Sequence, residues 1–101
     1  MEQFTEYELL LIHKIATMNR WCPDKHVSRE DLLKGRLRSD LPLYEAALEN
    51  LLNNKIFGSK KSQGRNDVCL NKKKRQLIMS VLCANVGKYK FITEFSIKRI
   101  K

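Results

Sequence analysis

At Ile56 the residue pattern of this chain changes, and that change restricts the fold more than any other feature. Before it, apolar residues recur every three or four positions, the spacing of helices that bury one face. After Ile56-Phe57 comes a polar, basic stretch punctuated by glycine, Gly58-Ser59-Lys60-Lys61-Ser62-Gln63-Gly64-Arg65-Asn66, and then Val68 and Leu70 alternate with polar neighbours. Two short extended runs around such a stretch predict a β-hairpin over 56–70 with a loose basic tip. Helices followed by a hairpin give an α+β chain. Its 101 residues suffice for one compact domain and not for two.

Three helices are expected ahead of the hairpin. Thr5-Glu6-Tyr7-Glu8 matches a capping box, with Phe4 and Leu9 at staple spacing. Tyr7, Leu11, Ile15 and Met18 extend that helix to about Asn19, and Cys22-Pro23 breaks it. Ser28 with Asp31 starts a second, short helix that Gly35 ends, and Lys25-His26-Val27 before it fits a very short strand. A third helix opens near Asp40-Leu41-Pro42, with proline in the first turn, and buries Tyr44, Leu48, Leu51 and Leu52. Asn53-Asn54 suits the left-handed turn that ends it.

Behind the hairpin, Lys72-Lys73-Lys74-Arg75 leads into a segment that is apolar almost all round, Gln76 to Val86, whose short run fits a helix or a strand. A helix of that kind is buried or shared with another subunit. The tail then alternates, Tyr89, Phe91, Thr93, Phe95 and Ile97 against Lys88, Lys90, Glu94, Ser96 and Lys98, which predicts a strand. An exposed strand of this kind must pair, either in the same chain or across a dimer. A homodimer is therefore expected, with Leu77, Ile78, Val81, Leu82, Phe91 and Phe95 at its interface.

Charge is divided unevenly. Residues 1–54 hold seven basic and nine acidic residues, a net of −2, and residues 55–101 hold thirteen basic and two acidic, a net of +11. The second half is expected to meet a polyanion, nucleic acid first, because Lys and Arg release counterions when they replace them at phosphates.

The element order, and the stretch from Leu41-Pro42 through Leu48-Glu49-Asn50-Leu51-Leu52-Asn53-Asn54-Lys55-Ile56-Phe57 to Leu70, resembles the third helix and wing of winged-helix domains in small bacterial and archaeal transcription regulators. Where relatives commonly have glycine before the first wing strand, this chain has Asn54-Lys55. The resemblance implies a winged-helix domain over residues 1–71, a three-helix core with a β-hairpin wing, and a C-terminal extension over 72–101. It implies double-stranded DNA as the partner, with Leu43, Ala46, Glu49, Asn50 and Asn53 of the third helix toward the major groove. Lys60, Lys61 and Arg65 of the wing would meet phosphate or the minor groove, and Arg36, Arg38, Lys72, Lys73, Lys74 and Arg75 would add phosphate contacts. Two other readings stand beside a transcription regulator. One is a winged-helix protein-interaction module within a larger nucleic-acid-associated assembly, suggested by Glu45 and Glu49 on the third helix. The other is an RNA-binding protein.

Other chemistry finds little footing. Neither a GxSxG elbow nor a GxxxxGK[ST] phosphate loop occurs, so an enzyme is not expected. Cys22 and His26 lack a second ligand pair, His13 is placed on the outer face of the first helix, and no metal or other cofactor is expected. An odd set of three cysteines, Cys22, Cys69 and Cys83, argues against disulfides and for a reducing, cytoplasmic setting, and Cys83 reads as a small core residue. Trp21 reads as a lid on the core. No apolar run is long enough to cross a membrane, and a secretory leader is not expected.

Overall fold

Thr5 starts the first helix, α1 (Glu6–Thr17), through a complete capping box: its hydroxyl accepts from the Glu8 backbone, and the Glu8 carboxylate accepts from the Thr5 N–H at 2.8 Å. The computed structural model describes residues 3–101, apart from the Ser62 side chain. A two-residue strand, β1 (Val27–Ser28), precedes α2 (Arg29–Leu33), which Ser28 caps by accepting from the Asp31 N–H at 3.1 Å. Gly35, at φ +84°, takes the left-handed turn beyond it. A 3-10 turn, Arg38–Asp40, feeds α3 (Leu41–Asn53) with Pro42 in its first turn. The left-handed residue after α3 is Lys55 (φ +64°), not Asn53 or Asn54. The Lys55 carbonyl accepts from the Asn71 side chain at 2.7 Å, which ties the helix end to the end of the hairpin.

The hairpin consists of β2 (Phe57–Ser62) and β3 (Arg65–Leu70). Its connection is tighter than the sequence predicts. Ser62 pairs with Arg65, and Gln63 and Gly64 both have positive φ, the two-residue connection whose twist suits a hairpin. β1 joins the free edge of β3, giving a three-stranded antiparallel sheet of order β1-β3-β2. Phe57, Val68, Leu70 and Val27 lie on one face of it, against Leu11, Ile12 and Ile15 of α1 and Leu48 and Leu51 of α3 in a single core.

The outer face of β3 is covered too. The segment after α1 runs alongside the end of β3, the Cys22 N–H donating to the Leu70 carbonyl and the Leu70 N–H to the Arg20 carbonyl, and the Cys22 side chain reaches onto the outer face. Cys22 and Cys69 are joined in a disulfide 47 positions apart in sequence, so the expectation of unpaired cysteines is wrong. The odd count reflects Cys83, which is the free one; it lies exposed on a helix and is not a core residue. The cysteine count therefore carries no argument for a reducing compartment. Gly58, across from Cys69, makes room for the bridge: a Cβ there would sit 2.7 Å from the Cys22 sulfur. That sulfur is covalently held and cannot swing away. Gly58→Ala is expected to cost about 2 kcal/mol through overpacking, read as a lowered denaturation midpoint with unchanged slope.

The tail departs from expectation most. α4 (Arg75–Ala84) forms, but residues 88–98 are not a strand. A turn with Gly87 at φ +85° leads to α5 (Glu94–Lys98), capped by Thr93 and Ser96 in a reciprocal box. Ile92 and Ile100 are buried, whereas Phe95 is 77% exposed. Ile78 and Leu82 of α4 are buried in the chain's own core and are not free to meet a partner, because α4 packs its apolar stripe inward against α1. Leu77, Val81 and Phe91 are partly buried. Among the described residues no helix is long and apolar enough to cross a membrane.

His13 joins the tail to α1 instead of facing outward. Its ring lies edge-on to Phe91, and its Nε2 is 2.9 Å from Ser96 Oγ. The Ser96 hydroxyl donates to the Thr93 carbonyl, so His13 is the donor. Burial lowers the His13 pKa below its usual 6.5, and the positive charge of Arg99 lowers it further. A lowered folded-state value means that acidification below about pH 6.5 protonates the unfolded chain first and removes stability, until the folded-state value is passed. His13→Gln is expected to flatten that part of the curve of melting temperature against pH.

Candidate nucleic-acid interface

Alternation along β2 and β3 sorts the hairpin cations. Lys60 pairs with Asp67, and with Arg65 it lies on the outer face; Lys61 pairs with Asn66 on the opposite face. The three stay at one end of the ribbon but do not share a side. Two already have partners within the chain. Arg65 Nε donates to Asp67 at 3.0 Å, and Lys60 Nζ donates to the Pro23 carbonyl at 3.3 Å. The guanidinium of Arg65 keeps its terminal nitrogens for another acceptor. Lys61 has no hydrogen-bond or ion-pair partner among the described residues.

Asp67 explains the arrangement. It sits on the central strand at 1% exposure, and its second oxygen is 2.6 Å from His26 Nδ1. A buried carboxylate needs such partners, and Arg65 and His26 provide them. His26 is thereby engaged with Asp67 and Cys22 with Cys69, and no group of three His, Cys, Asp or Glu among the described residues could hold a metal ion.

On α3, Leu43, Ala46, Glu49, Asn50 and Asn53 are all exposed, along the face away from the core. Arg29 forms a 3.1 Å ion pair with Glu49. The exposed face of α3 carries no cation, and Glu45 adds a second negative charge to it. The two flanking arginines differ. Arg36 lies over the Tyr44 ring, 5.0 Å from its centroid, and is half-buried, whereas Arg38 in the turn ahead of α3 is exposed.

The Lys72–Arg75 run forms a second cluster at the foot of the hairpin, about 17 Å from its tip at the rise of an extended strand. Asn71 builds it: its side-chain oxygen accepts from the Lys73 N–H at 3.1 Å and caps the turn Lys72–Lys74. Lys72 and Lys73 are exposed and Lys74 is half-buried. Arg75 lies over the Trp21 indole, 4.6 Å from its centroid. Trp21 itself is 8% exposed.

Lys25 and Lys101, neither of which the sequence singles out, line the same cleft as Lys72 and Arg75. Lys25 is brought there by the turn whose backbone bond runs from its N–H to the Trp21 carbonyl at 3.1 Å. Lys101 is brought by Asn19, left-handed at φ +57°, whose side chain accepts from the Lys101 N–H and donates to the Arg99 carbonyl. No local motif announces either contact, since each depends on chain segments far apart in sequence.

Comparison with known protein families, with curated proteins and with solved structures finds no match for this chain.

Proposed function

We propose that this chain is a winged-helix protein that binds double-stranded DNA, as a small transcription regulator does. The observation that carries the reading is the concentration of cations along one hairpin and at its foot, Lys60, Lys61, Arg65, Lys72, Lys73 and Arg75, behind a helix–strand–helix–helix–hairpin order with sheet order β1-β3-β2. Phosphate contacts from the hairpin would set position, and they require no charge on α3. Asn50 and Asn53 offer exposed side-chain amides, the group suited to adenine edges. Selection from a random duplex pool tests both halves of the reading. The expected result is enrichment of a defined site, with Asn50→Ala altering base preference by about 1–3 kcal/mol at one position and leaving the salt dependence unchanged. The reading extends to pairing of two copies through exposed Phe95, and light scattering of the full chain beside Phe95→Ser checks it.

One feature favours a second reading, an interaction module within a nucleic-acid-associated assembly. A cleft of about 510 Å³ between α2 and α3 has Leu33, Leu41 and Leu48 among its lining, with Glu30 and Glu45 beside them and Glu49 paired to Arg29 at its rim. Such a surface suits a basic, amphipathic protein segment better than a phosphate backbone. Failure to bind any duplex at low salt would select this reading.

A further inference from the structure

The geometry points to a phosphate-binding pocket at the foot of the hairpin, formed by Trp21, Lys25, Lys72, Arg75 and Lys101, that seats a backbone phosphate of a nucleic-acid strand crossing the outer face of the sheet. The inference rests on the reading that the hairpin grips nucleic acid, and adds where the strand goes next.

Four basic residues from three separate segments, the turn after α1, the approach to α4 and the tail, line an open cleft of about 260 Å³, with Asp24 the one acidic side chain among the lining. Like charges are not gathered this way at no cost, and a tetrahedral anion relieves their repulsion from several directions at once. The pocket is also built in advance. Arg75 lies over the indole and donates to the Lys101 backbone oxygen, and Asn19 holds the tail from the other side. A guanidinium held by packing loses little freedom when it binds an oxyanion. The indole Nε1 of Trp21 is buried and has no hydrogen-bond acceptor among the described residues.

Continuity with the hairpin argues for a strand phosphate as the occupant. Lys60, on the outer face of β2, donates to the carbonyl of Pro23, and Pro23 belongs to the same short turn as Lys25. Cations therefore follow one another from Arg65 and Lys60 over the turn to Lys25 and into the pocket. The Cys22–Cys69 bridge fixes that turn to β3 and keeps the two halves of the track in register.

Trp21 is the single tryptophan of the chain, so its emission reports on this pocket alone. The full chain is titrated with a short random duplex and, separately, with inorganic pyrophosphate, beside Lys25→Ala/Lys72→Ala and Lys60→Ala/Lys61→Ala. The expected result is a change in Trp21 emission with both probes. The pocket variant loses that change and binds duplex about tenfold more weakly, with a salt slope smaller by about 2. The hairpin variant weakens duplex binding but keeps the pyrophosphate response. An unaltered emission spectrum of the free pocket variant shows that the cavity is intact. Duplex binding with silent Trp21 emission and a normal pocket variant overturns the pocket and leaves the hairpin reading standing. Without duplex binding the hairpin reading fails, and the pyrophosphate response, lost in the pocket variant, decides for the pocket; its absence decides against it.

Discussion

Removing the Cys22–Cys69 bridge, by reduction or as Cys22→Ala/Cys69→Ala, is expected to lower the melting temperature by on the order of 20 °C. The bonded residues are 47 positions apart, and closing a loop of that length restricts the unfolded chain by about 4 kcal/mol. In a domain of this size each kcal/mol moves the midpoint by roughly 4–8 °C. The bridge also holds the turn after α1 against the outer face of β3, where Cys69 and Asp67 are buried. Scanning calorimetry with and without reductant measures the shift. The single variant Cys83→Ala serves as the control and is expected to leave the midpoint unchanged, because that thiol is free and exposed.

The second large effect concerns binding. Lys60→Ala/Lys61→Ala/Arg65→Ala is expected to weaken duplex binding by about two orders of magnitude at moderate salt and to reduce the salt slope by between 2 and 3. The contributions will not be equal. Lys61 has no partner among the described residues, so its removal takes away a cation without disturbing an internal contact there. Arg65 neutralises Asp67, and its loss leaves a buried carboxylate with His26 as its remaining partner. Arg65→Ala alone is therefore expected to lower stability as well as affinity, whereas Lys61→Ala lowers affinity alone. Thermal melts of each single variant beside its binding isotherm separate the two effects.

Local chemistry made much of this fold legible. The Thr5/Glu8 box and Ser28 with Asp31 mark helix starts through hydrogen bonds between near neighbours in sequence, and Pro42 marks the first turn of α3. The hairpin is readable from alternation, although Gly58, grouped by its polar neighbours with the tip, belongs to a strand and makes room for a sulfur. The tail shows where periodicity misleads. Tyr89 to Ile97 alternate, but the residues that break the alternation, Ile92 and Ile100, are the buried ones. Ile92, Ser96 and Ile100 follow a four-residue spacing, and Thr93 with Ser96 is a capping pair. The helix signal was present and weaker than the aromatic alternation.

What remained hidden is long-range. Cys22 and Cys69 have no local motif, and their pairing follows from the register that sets Cys69 beside Gly58 under the returning segment. The partners of Arg65 and Lys60 follow from the same register. A list of basic residues cannot separate Lys61, which has no partner among the described residues, from Arg36, which lies over Tyr44. The clustering of Lys25 with Lys72, Arg75 and Lys101 likewise needs three segments to meet.

The salt dependence of duplex binding decides whether the hairpin and its foot hold phosphate. Affinity of the full chain for a random duplex, measured by anisotropy across a series of salt concentrations, is expected to fall linearly on logarithmic axes with a slope of about −4 or steeper. Lys60→Ala/Lys61→Ala/Lys72→Ala is expected to make that slope shallower by about 3. No duplex binding at low salt, or a slope that the triple variant leaves unchanged, would contradict the assignment of the hairpin and its foot as the surface that holds phosphate.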